Sequence, residues 1–112
     1  MTKDPQVFLK HILDSIDFVD KYTQGLSADD FYASTEKQDA IMRRLEIIGE
    51  AVRNISEEFR KQYPEIIWKQ IAGMRDKLIH EYFGVDIELV WAVVKKDLPQ
   101  LKEDIQKIQN YK

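Results

Sequence analysis

The chain has 112 residues, 44% of them hydrophobic and 33% charged, enough for one soluble domain with a single core and too few for two. Seventeen Lys and Arg against twenty Asp and Glu leave a formal charge of -3, which excludes a broad basic surface for nucleic acid but leaves room for a local basic pocket. The absence of cysteine removes disulfides, thiolate nucleophiles and thiolate zinc sites, and His11 and His80 are too few for a histidine-rich metal site, so neither a metal nor a cofactor is expected. Met1-Thr2-Lys3-Asp4-Pro5 has no basic start leading into a long apolar run, and no stretch reaches bilayer-spanning length. The expectation is a cytoplasmic protein that does not enter a membrane.

Four glycines, three prolines and no repeat or low-complexity run point to a single domain over residues 1–112. Asp4-Pro5 is a helix-start pair, after which Phe8, Leu9, Ile12, Leu13, Ile16 and Val19 recur at threes and fours until Gly25 supplies a stop. Ser27-Ala28-Asp29-Asp30 caps a short connector carrying Phe31 and Tyr32. A second long helix starts at Ser34 or Thr35, with an apolar seam of Ile41, Leu45, Ile48, Val52, Ile55 and Phe59 that predicts one continuous helix ending at Pro64. Its other face is charged, with Arg43, Glu46, Glu50, Arg53, Glu57 and Lys61.

Pro64 to Trp68 starts a shorter helix containing Ile67 and Ile71, with a bend at Gly73 before Met74 to Phe83 and a stop at Gly84. Asp86 then caps a last long helix whose seam runs Val90, Val94, Leu98, Leu101, Ile105 and Ile108, kinked by Pro99. The expected fold is an all-α, up-and-down bundle of four to five helices. Ala40, Ile47 and Ala51 on one long helix, and Ile87, Leu89 and Trp91 on the other, lie off the main seams. They either widen the core or form an apolar face for a homodimer, the second being the expectation.

The densest cluster of reactive side chains is Arg75-Asp76-Lys77-Leu78-Ile79-His80-Glu81-Tyr82. On a helix, Asp76 and His80, four apart, face the same way, so the carboxylate can orient the imidazole, whereas Arg75 lies about 140° round from His80. Convergence of Arg75 and His80 therefore needs a wrapped arginine, a bend near Gly73 or a second copy across a two-fold axis. Arginine plus histidine, without metal ligands or thiols, suits attack of a ribose 2′-hydroxyl on the adjacent phosphate. That reaction needs a proton acceptor, a proton donor and a cation at phosphorus, and RNA alone carries the internal nucleophile. The same cluster is also compatible with a purely structural role, and Tyr82 alone with a packing residue whose hydroxyl is bonded. His11 reads as a surface residue, Trp68 and Trp91 as core or interface anchors, and Arg43, Arg44 and Arg53 as a solvated face or a guide for phosphate.

Arg75, four residues, then His80-Glu81-Tyr82 resembles the R-x-x-x-x-H-x-Y signature of HEPN domains, in particular the small HepT-like toxins paired with minimal nucleotidyltransferases. Leu45-Glu46-Ile47-Ile48-Gly49-Glu50-Ala51 is similar to that family's long-helix segment, Ile71 to Arg75 and Tyr82 to Asp86 to its motif region, and Trp91 with Asp97-Leu98-Pro99 to its closing helix. The resemblance implies a helical homodimer with two motifs meeting at a cleft and a metal-independent ribonuclease acting on tRNA or mRNA. It also implies restraint by the cognate minimal nucleotidyltransferase, an antitoxin, and assembly into a dimer or a higher oligomer. Arg75, Asp76 and His80 would be the catalytic residues and Tyr82 the tyrosine that receives AMP.

Many relatives carry asparagine where this chain has Asp76, and an ionised Asp76 favours protonated His80 and repels phosphate. Glu50 is a candidate supporting residue, either a partner for Arg75 or another arginine or a solvated carboxylate. Gly49, costing about 1 kcal/mol against alanine inside a helix, implies close approach of another helix. The rival reading is a non-catalytic accessory subunit that binds a nucleotide or the nucleotidyltransferase through the same cleft.

Overall fold

The chain enters α1 (Pro5–Thr23) through Asp4, whose carboxylate accepts the Gln6 backbone N–H at 3.0 Å, with Pro5 at the first helical position, where a missing N–H is no loss. At the other end the Thr23 hydroxyl donates to the Val19 carbonyl at 2.9 Å, and Gly25, at φ 75°, turns the chain in the left-handed region that favours glycine. This computed structural model describes residues 4–73 and 87–110.

Short connections then carry their own caps. Ser27 and Asp30 cap α2 (Ala28–Ala33) reciprocally, the Ser27 hydroxyl accepting the Asp30 N–H at 3.1 Å and the Asp30 carboxylate accepting the Ser27 N–H at 3.3 Å. Ser34 caps α3 (Thr35–Arg53) by accepting the Lys37 N–H at 3.1 Å. The Gln38 side-chain amide donates to the Phe31 and Tyr32 carbonyls, both at 3.0 Å, satisfying the end of α2 from α3.

The single long helix expected from Ser34 to Pro64 is two helices. α3 stops at Arg53, Asn54 donates its side-chain amide to the Glu50 carbonyl at 2.9 Å, and α4 (Glu57–Lys61) restarts behind Ser56, whose hydroxyl accepts the Phe59 N–H at 3.2 Å. The break is local chemistry: an extended Ser56 with Glu57 and Glu58 in the following turn is a better helix start than a helix interior. Ile55, 2% exposed at the break, keeps its place in the core even though the helix does not run through it.

The next helix also begins later than the sequence suggests. The chain turns tightly after Pro64, the Ile66 N–H donating to the Tyr63 carbonyl at 3.2 Å and the Trp68 N–H to the Ile66 carbonyl at 2.9 Å, which buries Ile66 and Trp68, 4% and 6% exposed, and leaves Ile67 between them 45% exposed. The Trp68 indole N–H donates to the Tyr63 carbonyl at 3.0 Å, pinning this corner, and α5 covers the helical residues 68–73. The expected stop at Gly84, the Asp86 cap and the segment Met74 to Phe83 lie outside the described residues.

α6 (Ile87–Ala92) runs through a π-helical turn, Val93–Asp97, into α7 (Leu98–Asn110). The interruption expected at Pro99 therefore takes the form of a wide turn, with the Leu98 N–H donating to the Val93 carbonyl five residues back. Two requirements explain it. A proline inside an α-helix collides with the carbonyl four residues before it, here that of Lys95. In a straight α-helix Leu98, eight residues after Val90, would also point about 80° away from it. The wider turn relieves the first and corrects most of the second, and Val90, Val94, Leu98, Leu101, Ile105 and Ile108 are all 4% exposed or less.

α1 lies between α3 and α7, and α2 bridges α3 to α6. Leu9, Ile12, Ile16 and Val19 of α1 are fully buried against Ile41, Leu45, Ile48 and Val52 of α3, each such side chain stabilising by roughly 1.5–3 kcal/mol. A surface ladder fastens the same pair of helices: Arg44 lies 4.0 Å over the Phe18 ring, Phe18 stacks on Tyr22 at 4.7 Å, and Lys37 lies 4.3 Å over Tyr22. Lys102 ties α7 to α1 through Asp17 at 3.0 Å and Asp20 at 3.8 Å. The described residues thus form the all-α helical bundle expected from the sequence, with no strand among them.

Candidate functional site

Arg75, Asp76, His80 and Tyr82 lie outside the described residues, and two helices frame the segment that carries them. The incoming limb is α5, anchored by buried Trp68 and Ile71. Gly73 is helical, and a Cβ added there meets no described residue within 4 Å. The outgoing limb is α6, anchored by buried Val90 and by Trp91, which stacks on Phe31 of α2 with ring centroids 5.0 Å apart.

The two limbs face each other across a groove of about 440 Å³ lined by Ile67, Gln70 and Gly73 on one side and Leu89, Val93 and Asp97 on the other. Ile67 and Leu89, 45% and 44% exposed, give it an apolar rim. The π turn forms part of its wall. Trp68 and Trp91 are thus anchors of the chain's own core.

Glu50 is exposed on α3 and lines a separate concavity of about 270 Å³ with His11, Arg43, Glu46 and Asn54, between α1 and α3. Arg43, with its side chain 71% exposed, pairs with Glu46 at 3.4 Å, in keeping with a solvated helix face. Arg44 differs: its guanidinium is spent on the Phe18 ring. His11 is exposed, as expected, with its ring edge-on to Phe8. Gly49 is buried on α3, the helix against which α1 packs. Of the residues set aside for a dimer face, Ala51 is 5% exposed in the core and Trp91 is committed to Phe31, while Leu89 stays at the surface.

Among the described residues no group of three His, Asp or Glu stands close enough to hold a metal ion, and no helix is long and apolar enough to cross a membrane. Lys102 is the described group whose proton affinity clearly moves: the hydrogen bond and charge of Asp17, aided by Asp20, hold its ammonium above the ordinary lysine pKa of 10.5. It serves the α1–α7 contact, away from both grooves.

Three relatives frame this geometry. A Methanocaldococcus jannaschii protein named "Gamma-glutamylcyclotransferase and putative RNase" is 55% identical over 108 residues, which is 96% of this chain and 49% of that protein, so the chain spans about half of its length. A Caldanaerobacter subterraneus protein named "Putative RNase" is 44% identical over 95% of both chains. A Thermococcus cleftensis protein named "Probable ribonuclease HepT" is 41% identical over 97% of this chain and 99% of its own. No solved structure matches the chain. The family model described as "Ribonuclease HepT-like" matches residues 12–108, from the middle of α1 to the end of the α7 seam, and the chain belongs to the HepT-like family.

Proposed function

We propose that the chain is a metal-independent ribonuclease, the toxin component of a toxin–antitoxin pair whose other member is a minimal nucleotidyltransferase. The observation that carries this reading is the spacing of Arg75, His80 and Tyr82 in a chain of the HepT-like family. Names of the relatives support it, three of them mentioning a ribonuclease. Anchored α5 and α6 supply a rigid frame for the segment that carries the motif.

In this reading a base takes the proton of the ribose 2′-hydroxyl as its oxygen attacks the adjacent phosphorus. The bond from phosphorus to the 5′-oxygen breaks, and an acid returns a proton to that leaving oxygen, giving a 2′,3′-cyclic phosphate and a 5′-hydroxyl. His80 from two copies of the chain divides the acid and base duties, Arg75 neutralises the charge that builds on the phosphoryl oxygens, and Asp76 orients His80. The homodimer is therefore part of the proposal. Transfer of AMP to Tyr82 places a phosphate anion and the bulk of adenosine where RNA would lie, which switches the activity off.

The test is RNA cleavage by the wild type and by His80→Ala and Arg75→Ala variants whose circular dichroism is unchanged. Loss of about 10²-fold or more in cleavage rate is expected for His80→Ala. Cleavage at the wild-type rate rejects the assignment. The acidic balance of the chain and Asp76 both favour the accessory-subunit reading, because negative charge opposes phosphate. A wild-type chain that holds the nucleotidyltransferase, carries no AMP on Tyr82 by mass spectrometry and cleaves no RNA decides for that alternative.

A further inference from the structure

The chain is acidic overall, yet three of its cations gather round one open groove. Arg60 and Lys61 at the end of α4 and Lys69 at the start of α5 line a concavity of about 800 Å³, floored by Pro64, Ile66 and Trp68. One carboxylate, Glu57, shares the lining. Elsewhere on the described surface most cations are occupied: Arg43, Lys102 and Lys107 by carboxylates, and Lys37, Arg44 and Lys95 by aromatic rings. Arg60, Lys61 and Lys69 form no ion pair with any described residue, and the half-buried Arg60 has its Nε–H enclosed without an acceptor. A planar guanidinium with its Nε–H unmet, lining the same groove as two lysines, is suited to the oxygens of phosphates.

We infer that this α4–α5 groove is a binding site for the phosphate backbone of single-stranded RNA, apart from the Arg75–His80 motif and feeding it; this rests on the ribonuclease reading. Given that reading, three features fit the sugar–phosphate backbone of RNA. The groove is wide and open to solvent, so a polymer segment can enter it. Trp68 is 6% exposed and forms floor, not a stacking platform, so recognition falls on the backbone and not on the bases. Arg75 also follows Lys69 by six residues, so the chain itself keeps the two within at most roughly 21 Å of each other. Because no base is read, the site adds affinity and register without sequence preference, and its contribution falls with salt.

The experiment measures binding of a fluorescein-labelled, fully 2′-O-methylated RNA strand of about twenty nucleotides, which lacks the nucleophile and is not cut, by anisotropy at several salt concentrations. The proteins are the full-length wild type, a Lys61→Gln/Lys69→Gln variant, an Arg60→Gln variant, and a Lys10→Gln/Lys21→Gln control that removes two exposed charges from α1. Circular dichroism checks that each is folded.

The double groove variant is expected to bind about tenfold more weakly and to reduce the slope of log K against log salt by roughly 1.4, at about 0.7 per lost single-strand contact. Arg60→Gln is expected to weaken binding severalfold, and the control to stay within about twofold of wild type. Wild-type affinity in the groove variants, equal weakening by the control, or displacement of RNA by poly-L-glutamate at matched charge as readily as by unlabelled RNA overturns the proposal. His80→Ala separates the two readings: it is expected to keep RNA affinity while losing cleavage, so a failed cleavage assignment and a failed groove give different patterns.

Discussion

The indole of Trp91 stacks on the ring of Phe31, with centroids 5.0 Å apart and planes 29° from parallel. This stack helps fasten α6, the limb leaving the candidate motif, to α2, the short helix that Gln38 ties to α3. Phe31 is fully buried although it sits on a six-residue helix with little stability of its own.

Phe31→Ala is accordingly expected to cost about 3–5 kcal/mol by urea unfolding, against less than about 1 kcal/mol for exposed Tyr32→Ala next to it. A double-mutant cycle with Trp91→Leu is expected to return a coupling of about 0.5–1.5 kcal/mol. A cost for Phe31→Ala no larger than that for Tyr32→Ala contradicts the anchoring role.

The π turn makes an unusual prediction. Deletion of exposed Lys96 converts the seam spacing to one that suits a straight α-helix, but leaves Pro99 inside it. The deletion alone is expected to cost about 3 kcal/mol, and the deletion with Pro99→Ala to recover most of that loss. If both variants are equally unstable, the proline is not what holds the wide turn.

Ser56→Ala removes the hydroxyl that accepts the Phe59 N–H and is expected to cost about 1 kcal/mol in thermal or chemical unfolding, with Ser56→Asp nearly neutral. Equal losses in the two variants show that the cap is not the relevant contact.

Lys102→Met tests the tie between α1 and α7. The ammonium is about a third exposed, so solvent screening holds the expected loss below about 1 kcal/mol near neutral pH. Lys102 has its pKa raised above 10.5 in the folded state, so its contribution is fully present below 10.5 and disappears as pH rises through the folded value. The difference in melting temperature between wild type and variant is expected to be constant from neutral pH to about 9 and to shrink above 10.5. A difference that grows with alkalinity refutes the assignment.

Asp76→Asn removes one negative charge beside the proposed phosphate position. Severalfold tighter RNA binding at low salt is expected, diminishing as salt screens the interaction. Unchanged affinity at every salt concentration places Asp76 away from the phosphate.

Sequence alone determined the helical class and most of the core. Caps at Asp4, Ser27 and Ser34 are satisfied within a few residues, and the seams of α1 and of α6 through α7 follow from a 3.6-residue period that needs no knowledge of the fold. The motif Arg75-x-x-x-x-His80-x-Tyr82 is legible for the same reason, being a matter of spacing along the chain. Tertiary structure decided the rest. Ile55 and Phe59 continue the α3 seam numerically, which masks the local start signal at Ser56, and packing of Ile55 into the core is what lets the chain turn at Asn54 without losing the seam. Arg44 looked like Arg43 until Phe18 of α1 was found beneath it, and Lys61 and Lys69 become neighbours only because the corner at Pro64 folds α4 and α5 around one groove. Local hydrogen bonds and periodicity act over a handful of residues and can be read in order. Contacts between elements depend on how those elements are placed in space, and that is settled only when their apolar faces pack together.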